Sequence, residues 1–366
     1  MKARKFIALA LVTVMGCVSV FSIGAYAQGA WDGKTGQIKW YVDDPSASEF
    51  TINTAEELYG LSVICASNDT NASVMKDKKV YYDNDYNVVL DASAITETTM
   101  SVASTKFDGK TIKLAADIDL NNKPFLPIGS SGSFKAAIFD GQNHTVKNIY
   151  VDDTVAKHAA FNKGTNNAYY GLFAVITAGC TVKNLNYENV HLKITLAAKY
   201  IYAGGLMAQC GKDSTIDNCT AKNVKIEFDP PAEFNPVKCN IGAIVGIVTS
   251  TKAMTNISVT DFEFANPAES TKYVMSDDMF FGSGTTSDKF TGCSVTIKEA
   301  SEDTSDIVGD VDGDGVISNA DISLLIRYLS GWDDVDVNIE NTDLTNDNKI
   351  NNRDVIALIQ RMSGWD

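Results

Sequence analysis

Short segments in which apolar and polar residues alternate recur along the middle of the chain at a nearly constant spacing, as in Thr181–Leu185. One copy begins at Gly171, a second begins thirty-four residues later at Gly205, and a third begins thirty-eight residues further on at Ala243. The longer spacing arises because the loop 229–236 adds four residues. Alternation with a period of two predicts β-strands, and no apolar stripe of helical spacing interrupts it. The pattern therefore predicts a stack of coils built from short strands.

Asparagine recurs at the same position of these copies, as Asn184, Asn218 and Asn256. Asn accepts left-handed backbone and bonds to nearby backbone groups. We therefore predict that these residues form corners between strands, or a ladder of stacked side chains along the coils. Both roles are structural, and we assign no chemistry to them.

Near the C-terminus the pattern changes to helical spacing. Two segments carry apolar residues at i, i+3, i+4 and i+7, which places one apolar stripe on each predicted helix. The stripes are Ile322, Leu325, Ile326 and Leu329 in the first segment, and Val355, Leu358, Ile359 and Met362 in the second. Both segments end in Ser-Gly-Trp-Asp, beginning at Ser330 and Ser363, so the unit is duplicated after thirty-three residues.

An acidic loop of twelve residues precedes each of these helices. A hard cation such as Ca²⁺ takes about six to eight oxygen ligands, and an EF-hand-type loop supplies them from positions 1, 3, 5, 7, 9 and 12. The candidate ligands are Asp310, Asp312, Asp314, the Val316 carbonyl, Ser318 and Asp321 in loop one, and Asp343, Thr345, Asp347, the Lys349 carbonyl, Asn351 and Asp354 in loop two. We predict two calcium sites. The site in loop one should be tighter, because loop two has Thr345 in place of a carboxylate. Asn348 replaces the turn glycine, but Asn tolerates left-handed backbone, so the turn is kept.

A loop and helix duplicated in this way, with Asp instead of Glu at position 12, resembles a type I dockerin, and the resemblance covers residues 303–366. It implies a small all-α, EF-hand-like domain that binds a cohesin module of a cellulosomal scaffold protein. It also implies partner contacts from positions 10 and 11 of each loop and from the following helices. These positions are Asn319 and Ala320 in loop one, and Asn352 and Arg353 in loop two. The two pairs differ, which argues against two equivalent binding modes.

The middle of the chain resembles the GLUG-repeat family, which forms a right-handed parallel β-helix in surface and secreted proteins. The resemblance rests on the Gly-Leu start of the copies and on the segments Phe107–Leu114, Asp117–Leu120 and Phe139–Thr145. It implies a mainly β solenoid for residues 28–302.

The same resemblance implies a cap helix near residues 54–61, where Thr54 and Glu57 have the spacing of a capping box. Residues 66–106 are an insertion relative to the family. Because an insertion on a solenoid is expected to lie outside the stack, we consider it a candidate location for specific binding.

The first residues of the chain indicate export. A basic start at Met1–Lys5, an apolar run from Phe6 and a small-x-small site ending at Ala27 predict a secretory signal peptide of residues 1–27. The apolar run is too short for a stable membrane span. Cys17 lies in a loose lipoprotein box, so lipidation there is the alternative. We expect a secreted, extracellular protein that its scaffold holds at or near the bacterial cell surface.

The charge balance argues against some partners, because 46 acidic residues against 31 basic ones give a net charge of -15. Such a chain is a poor ligand for nucleic acid and for anionic membranes. Six cysteines follow residue 27, and an even number permits disulfides in a secreted protein. Their spacing follows the repeat, which equally fits buried free thiols. They are Cys65, Cys180, Cys210, Cys219, Cys239 and Cys293.

The role of the predicted β-helix has three candidate explanations. A glycoside hydrolase would use paired carboxylates, for which Asp117 with Asp119, Asp140, and Asp152 with Asp153 are candidates. For Asp117, Asp119 and Asp140, turn roles fit their places in the family signature better. A lyase would need a group that grips uronates, and no Arg occurs between Arg4 and Arg327. We therefore favour a module that binds plant polysaccharide or a cell-surface glycan over an enzyme, with a passive spacer as the third hypothesis. The candidate aromatic contacts are Trp31, Trp40, Tyr41, Tyr81, Tyr82, Tyr86, Tyr169 and Tyr170.

Overall fold

The computed structural model describes residues 30–67, 78–90, 92–129, 134–156, 166–298, 308–312, 317–332, 335, 337, 339–347 and 349–363. The predicted signal peptide with Cys17, and the loop residues Asp314, Val316 and Asn348, lie outside these residues. Among the described residues, no helix has the length and apolar character needed to cross a membrane.

The described chain up to residue 298 is mainly β, and its strands pair in parallel with one exception, the antiparallel hairpin of β2 and β3. The strands are β1 (Glu49–Ile52), β2 (Lys79–Tyr82), β3 (Met100–Ala103), β4 (Thr111–Leu114), β5 (Ile118–Asp119), β6 (Phe134–Lys135), β7 (Ile138–Asp140), β8 (Thr145–Val151), β9 (Asn167–Tyr170), β10 (Phe173–Thr177), β11 (Thr181–Ile194), β12 (Tyr200–Gly204), β13 (Met207–Cys210), β14 (Thr215–Phe228), β15 (Lys238–Gly242), β16 (Val245–Val248), β17 (Met254–Ala265), β18 (Phe281–Ser283), β19 (Phe290–Thr291) and β20 (Ser294–Ile297). Short helices α1 (Lys39–Val42) and α3 (Asp153–Ala156) and the longer α2 (Ala55–Ser67) accompany them.

Three parallel sheets run along the stack. Their strand orders are β1-β4-β7-β11-β14-β17-β19 with β5, β8 and β20 alongside, β18-β16-β13-β10-β6, and β15-β12-β9. Successive copies pair residue for residue, since Val182 lies beside Ile216 and Cys219 lies beside Ile257. These offsets are the spacings of thirty-four and thirty-eight residues seen in the sequence. The predicted mainly β, parallel solenoid is therefore confirmed.

The recurring asparagines bend the long strands instead of ending them. Asn184, Asn218 and Asn256 have φ values of 50°, 50° and 53°, a left-handed conformation that Asn tolerates better than most residues. Each lies inside a strand of twelve or fourteen residues, which is longer than the brief strands predicted. Asn218 Nδ2 donates to Asn184 Oδ1 at 2.8 Å. Both predicted roles, the left-handed corner and the ladder, are therefore present.

The six described cysteines are free thiols. Five of them are buried and Cys293 is half-buried. Burial raises the pKa of the Cys210, Cys219 and Cys239 thiols to about 12. Thiolate is the reactive form, so these side chains are inert near neutral pH. Of the two alternatives that the sequence left open, buried free thiols are the one observed.

Helix α2 begins where the cap helix was predicted and extends six residues beyond residue 61. Thr54 Oγ1 accepts from the Glu57 backbone N at 3.2 Å, as a capping box predicts, whereas Glu57 Oε2 accepts from the backbone N of Asn53, one residue before Thr54, at 2.6 Å. Residues 58–66 are all buried. The helix is longer than predicted because a helix that is surrounded by core can be apolar on every side, without a stripe to mark its end.

The insertion packs against the solenoid core rather than lying wholly outside it. Val80 and Tyr82 of β2 are buried in the same apolar cluster as the strands. Tyr82 stacks on Tyr86 with ring centroids 5.7 Å apart, and Tyr81 and Tyr86 are half-buried against the core. The described part of the insertion therefore forms an antiparallel pair separate from the three stacked sheets, and this pair packs against the solenoid core.

The C-terminal region is helical, with α4 (Asn319–Leu329), α5 (Ile339–Thr342) and α6 (Asn352–Ser363). Its small core consists of Val311, Leu325, Val337 and Leu358, with partly buried neighbours on both long helices. Each predicted apolar stripe is only partly buried, since Leu325 and Leu358 lie in this core. Ile326, Ile359 and Met362 are exposed instead of buried, because a domain this small buries few residues fully.

Candidate metal centre

Loop one brings three carboxylates together. The ligand atoms of Asp310, Asp312 and Asp321 all lie within 4.8 Å of one another. Asp310 and Asp321 are fully buried, whereas Asp312 is exposed. Negative charges this close, two of them out of contact with water, repel one another unless a cation or protons compensate them. Carboxylate oxygens suit a hard cation such as Ca²⁺ better than a metal that prefers His or Cys.

Asp321 ties the start of loop one to helix α4. Its Oδ1 accepts from the backbone N of Val311 at 2.7 Å and of Asp312 at 3.2 Å, and its Oδ2 accepts from Ser318 N at 2.6 Å. Ser318 is the N-cap of α4, and its Oγ accepts from Ala320 N at 3.0 Å, which completes a capping box. A single buried carboxylate therefore holds both ends of the loop together.

Loop two repeats this scheme with one change. Asp354 Oδ2 accepts from Asn351 N at 2.8 Å, and its Oδ1 accepts from Thr345 N at 3.1 Å. The change is that the Thr345 hydroxyl also donates to Oδ1, at 2.9 Å, where loop one has the carboxylate of Asp312. In the described part of the chain, three clustered metal-ligating side chains occur in loop one alone.

The carboxyl group of Asp354 is stabilised in its charged form. Burial would raise its pKa, but hydrogen bonds from Asn351 and Thr345 outweigh burial and hold the pKa below the usual value. Asp343 takes part in the same loop, because its Oδ1 accepts from Asp347 N at 3.1 Å. Asp347 Oδ1 in turn accepts from Lys349 N at 2.9 Å. The loop is thus shaped by its own carboxylates, at the positions predicted to hold a cation.

The residues predicted to contact a partner are all exposed. Asn319 and Ala320 lie at the start of α4, and Asn352 and Arg353 lie at the start of α6. Apolar side chains are also exposed on the same two helices, namely Ile326, Ile356, Ile359 and Met362. Exposed apolar residues concentrated on a small domain are typical of a protein-binding surface.

Three of the solenoid carboxylates considered as catalytic candidates, Asp117, Asp119 and Asp140, accept hydrogen bonds in turns and between coils. They accept hydrogen bonds as follows: Asp117 Oδ1 from Thr145 N at 2.9 Å, Asp119 Oδ1 from Asn148 Nδ2 at 2.8 Å, and Asp140 Oδ1 from Asn184 Nδ2 at 3.0 Å. The bond from Thr145 lowers the pKa of Asp117. Burial would raise the pKa of Asp119 and Asp140, but their hydrogen bonds outweigh it and lower both. A general acid needs a raised pKa, so none of the three fits that role.

Most of the aromatic residues proposed as glycan contacts are packing residues. Those buried in the structure are Trp31, Tyr41, Tyr82, Tyr169 and Tyr170. Trp40, Tyr81 and Tyr86 are half-buried and pack against the core. The prediction of exposed aromatic platforms is therefore wrong for the buried five, because four of the rings belong to the main core and Tyr169 belongs to a second buried cluster with Tyr202.

Sequence reasoning missed a cleft of about 410 Å³ beside strand β15. Val237, Lys238, Asn240, Lys272 and Val274 are among its lining residues. The available signal was the longer loop 229–236, which leads directly into β15 and which the thirty-eight-residue spacing reveals.

The dockerin type I domain is the known family whose model matches this chain, over residues 308–363. The chain matches no curated protein and no solved structure. The matched segment contains both acidic loops and the helices α4, α5 and α6. Residues 308–363 are therefore a type I dockerin domain, joined in one chain to a parallel β-solenoid.

Proposed function

We propose that the dockerin holds this protein in an extracellular cellulosome while its β-solenoid binds polysaccharide or a cell-surface glycan. A type I dockerin implies docking through a cohesin module, and proteins with this domain are typically extracellular cellulosome components. The predicted signal peptide, residues 1–27, supports export, with lipidation at Cys17 as the alternative. We propose residues 28–302 and 303–366 as the two mature domains.

Calcium is the cation that we assign to both loops, because type I dockerins are generally calcium-binding. The observation that supports it is the approach of Asp310, Asp312 and Asp321 to within 4.8 Å. The full proposed ligand sets are Asp310, Asp312, Asp314, the Val316 carbonyl, Ser318 and Asp321, and Asp343, Thr345, Asp347, the Lys349 carbonyl, Asn351 and Asp354. A bound cation would neutralise the carboxylates, and Asp321 and Asp354 would hold each loop against its helix.

Cohesin contacts are proposed at Asn319, Ala320, Asn352 and Arg353 and at the exposed apolar residues of α4 and α6. The support is their exposure at the start of the two long helices. Arg353 is charged whereas its counterpart Ala320 is not. We therefore propose one preferred orientation on the cohesin rather than two equivalent ones.

We expect calcium to bind loop one about tenfold or more tightly than loop two, since affinity rises with the number of ligand charges. The measurement is a calorimetric calcium titration of the whole chain. Thr345→Asp restores the carboxylate of position 3 and should bring the second site close to the first. Two equal sites in the unaltered protein, or no gain from Thr345→Asp, would contradict this assignment.

For the solenoid, we favour binding over catalysis because Asp117, Asp119 and Asp140, three of the candidate carboxylates, are hydrogen-bonded structural residues with lowered pKa values. We expect the protein to be retained by at least one plant cell-wall polysaccharide in affinity electrophoresis while releasing no soluble sugar from it. Release of new oligosaccharides would make the solenoid a hydrolase or lyase. Neither retention nor release across a broad panel would leave the spacer hypothesis.

A further inference from the structure

The cleft beside β15 lies at the outer surface of the three-stranded sheet. Cys239 and Ile241 belong to the solenoid core, so the alternating residues Lys238 and Asn240 face outward. β15 pairs with β12 along its length, and an isolated bridge from Asn240 to Val274 marks its other side. The cleft volume of about 410 Å³ lies in the range of small-ligand sites.

The charged residues that line this cleft are both positive. They are Lys238 and Lys272, which are exposed, and no Asp or Glu is among the described lining residues. Neither ammonium group forms an ion pair within the described part of the chain. The positive charge of this lining is opposite in sign to the net charge of the chain, which is -15. It is also local, because an adjoining cleft that shares Val274 contains the carboxylate of Glu269.

A buried amide adds hydrogen-bonding capacity to the cleft. Asn240 is 3% exposed, and its Nδ2 has no hydrogen-bond partner among the described residues. A buried polar group without a partner is unfavourable. Asn240 is a lining residue of the cleft, so the N–H groups of this amide are the donors that a ligand in the cleft would satisfy.

The remaining surface of the cleft includes exposed apolar side chains. Val237 is 60% exposed and Val274 is 52% exposed. Aliphatic side chains of this kind pack against the C–H face of a sugar ring. A site with two cations, an amide donor and apolar patches, but no carboxylate, selects a ligand that is anionic and rich in oxygen acceptors.

We propose that this cleft binds uronic-acid residues of an acidic plant polysaccharide. The ammonium groups of Lys238 and Lys272 attract the uronate carboxylate, Asn240 donates to a sugar oxygen, and Val237 and Val274 pack against the ring. This proposal rests on the polysaccharide-binding function proposed above and narrows it to carboxylated polymers.

The test compares the whole chain and its variants for binding short oligogalacturonates and the same oligomers with every carboxylate methyl-esterified. We expect the free acid to bind about tenfold or more tightly than the ester, with an affinity that falls as salt rises. The double variant Lys238→Gln/Lys272→Gln should bind the free acid about tenfold or more weakly than the unaltered protein does, while its affinity for the ester should change little. The matched control is Lys222→Gln/Lys252→Gln, which removes the same charge from exposed positions outside the cleft.

The outcomes separate this proposal from the broader one. If the protein binds neutral and acidic sugars equally, or if both double variants behave alike, the cleft assignment is overturned while polysaccharide binding stands. If no polysaccharide of the panel binds, both fail. Asn240→Asp, checked for unaltered melting temperature, should weaken binding of the acid specifically, and an unchanged affinity in that folded variant would contradict the role of the amide.

Discussion

Removal of calcium is expected to unfold the dockerin domain and to abolish cohesin binding while the β-solenoid stays folded. The carboxylate oxygens of Asp310, Asp312 and Asp321 lie within 4.8 Å of one another, and Asp310 and Asp321 are buried. This arrangement of charges is unfavourable without a compensating cation. At a calcium concentration a thousandfold above Kd, each site contributes about 4 kcal/mol. That is comparable with the whole stability of a domain this small. Far-UV circular dichroism and a cohesin-binding assay, each with and without chelator, provide the measurement.

A chelator already saturated with calcium is the control for this experiment. The solenoid provides an internal reference, because its described residues contain no cluster of three metal-ligating side chains. Its melting transition should therefore not move. A chelated sample that retains both its helical signal and cohesin binding would show that the loops do not depend on calcium.

Phe173→Ala is expected to destabilise the solenoid by about 3–5 kcal/mol. Phe173 is fully buried, and its ring lies 5.1 Å from that of Phe139 and 6.1 Å from that of Phe134, measured between centroids. These contacts join one coil to the preceding part of the stack, so the cavity left by Ala cannot close without moving a neighbouring coil. Urea unfolding of the solenoid transition measures the change.

Ile297→Ala is the matched control, because this large apolar side chain of β20 is 61% exposed. Its replacement should change the free energy of unfolding by no more than about 0.5 kcal/mol. The loss of unfolding free energy for Phe173→Leu should lie between those of the two Ala variants, since Leu keeps part of the buried volume. Equal losses for Phe173→Ala and Ile297→Ala would mean that burial in the stack does not determine stability here.

The features that sequence reasoning predicted correctly are those carried by local or periodic signals. The candidate ligands of loop one lie within twelve residues, and the turn of that single loop brings Asp310, Asp312 and Asp321 close. The solenoid was predictable because each copy repeats the pattern of the last. The corner role of Asn184 and Asn218 follows from intrinsic backbone preference. The GLUG resemblance and right-handed winding stay predictions.

The features that sequence reasoning misjudged depend on contacts between segments that are distant along the chain. The ring of Tyr82 looked available for a ligand in the sequence, but it is buried because its hairpin packs against the core. Asp140 has the structural role that the sequence analysis favoured, but its hydrogen-bond partner Asn184 lies forty-four residues away and was not predicted. Ile326 and Ile359 have the spacing of core residues, yet the dockerin core is too small to cover them.

The sequence by itself therefore determined the class of both domains, the two loops and the period of the coils, because these depend on spacing within one repeat. Tertiary structure alone decided which side chains are exposed to a ligand and which are buried or held by hydrogen bonds. The cleft joins Lys238 and Asn240 to Lys272 and Val274, more than thirty residues further along the chain. Stacking of successive coils creates that proximity, and no local pattern of apolar and polar residues encodes it.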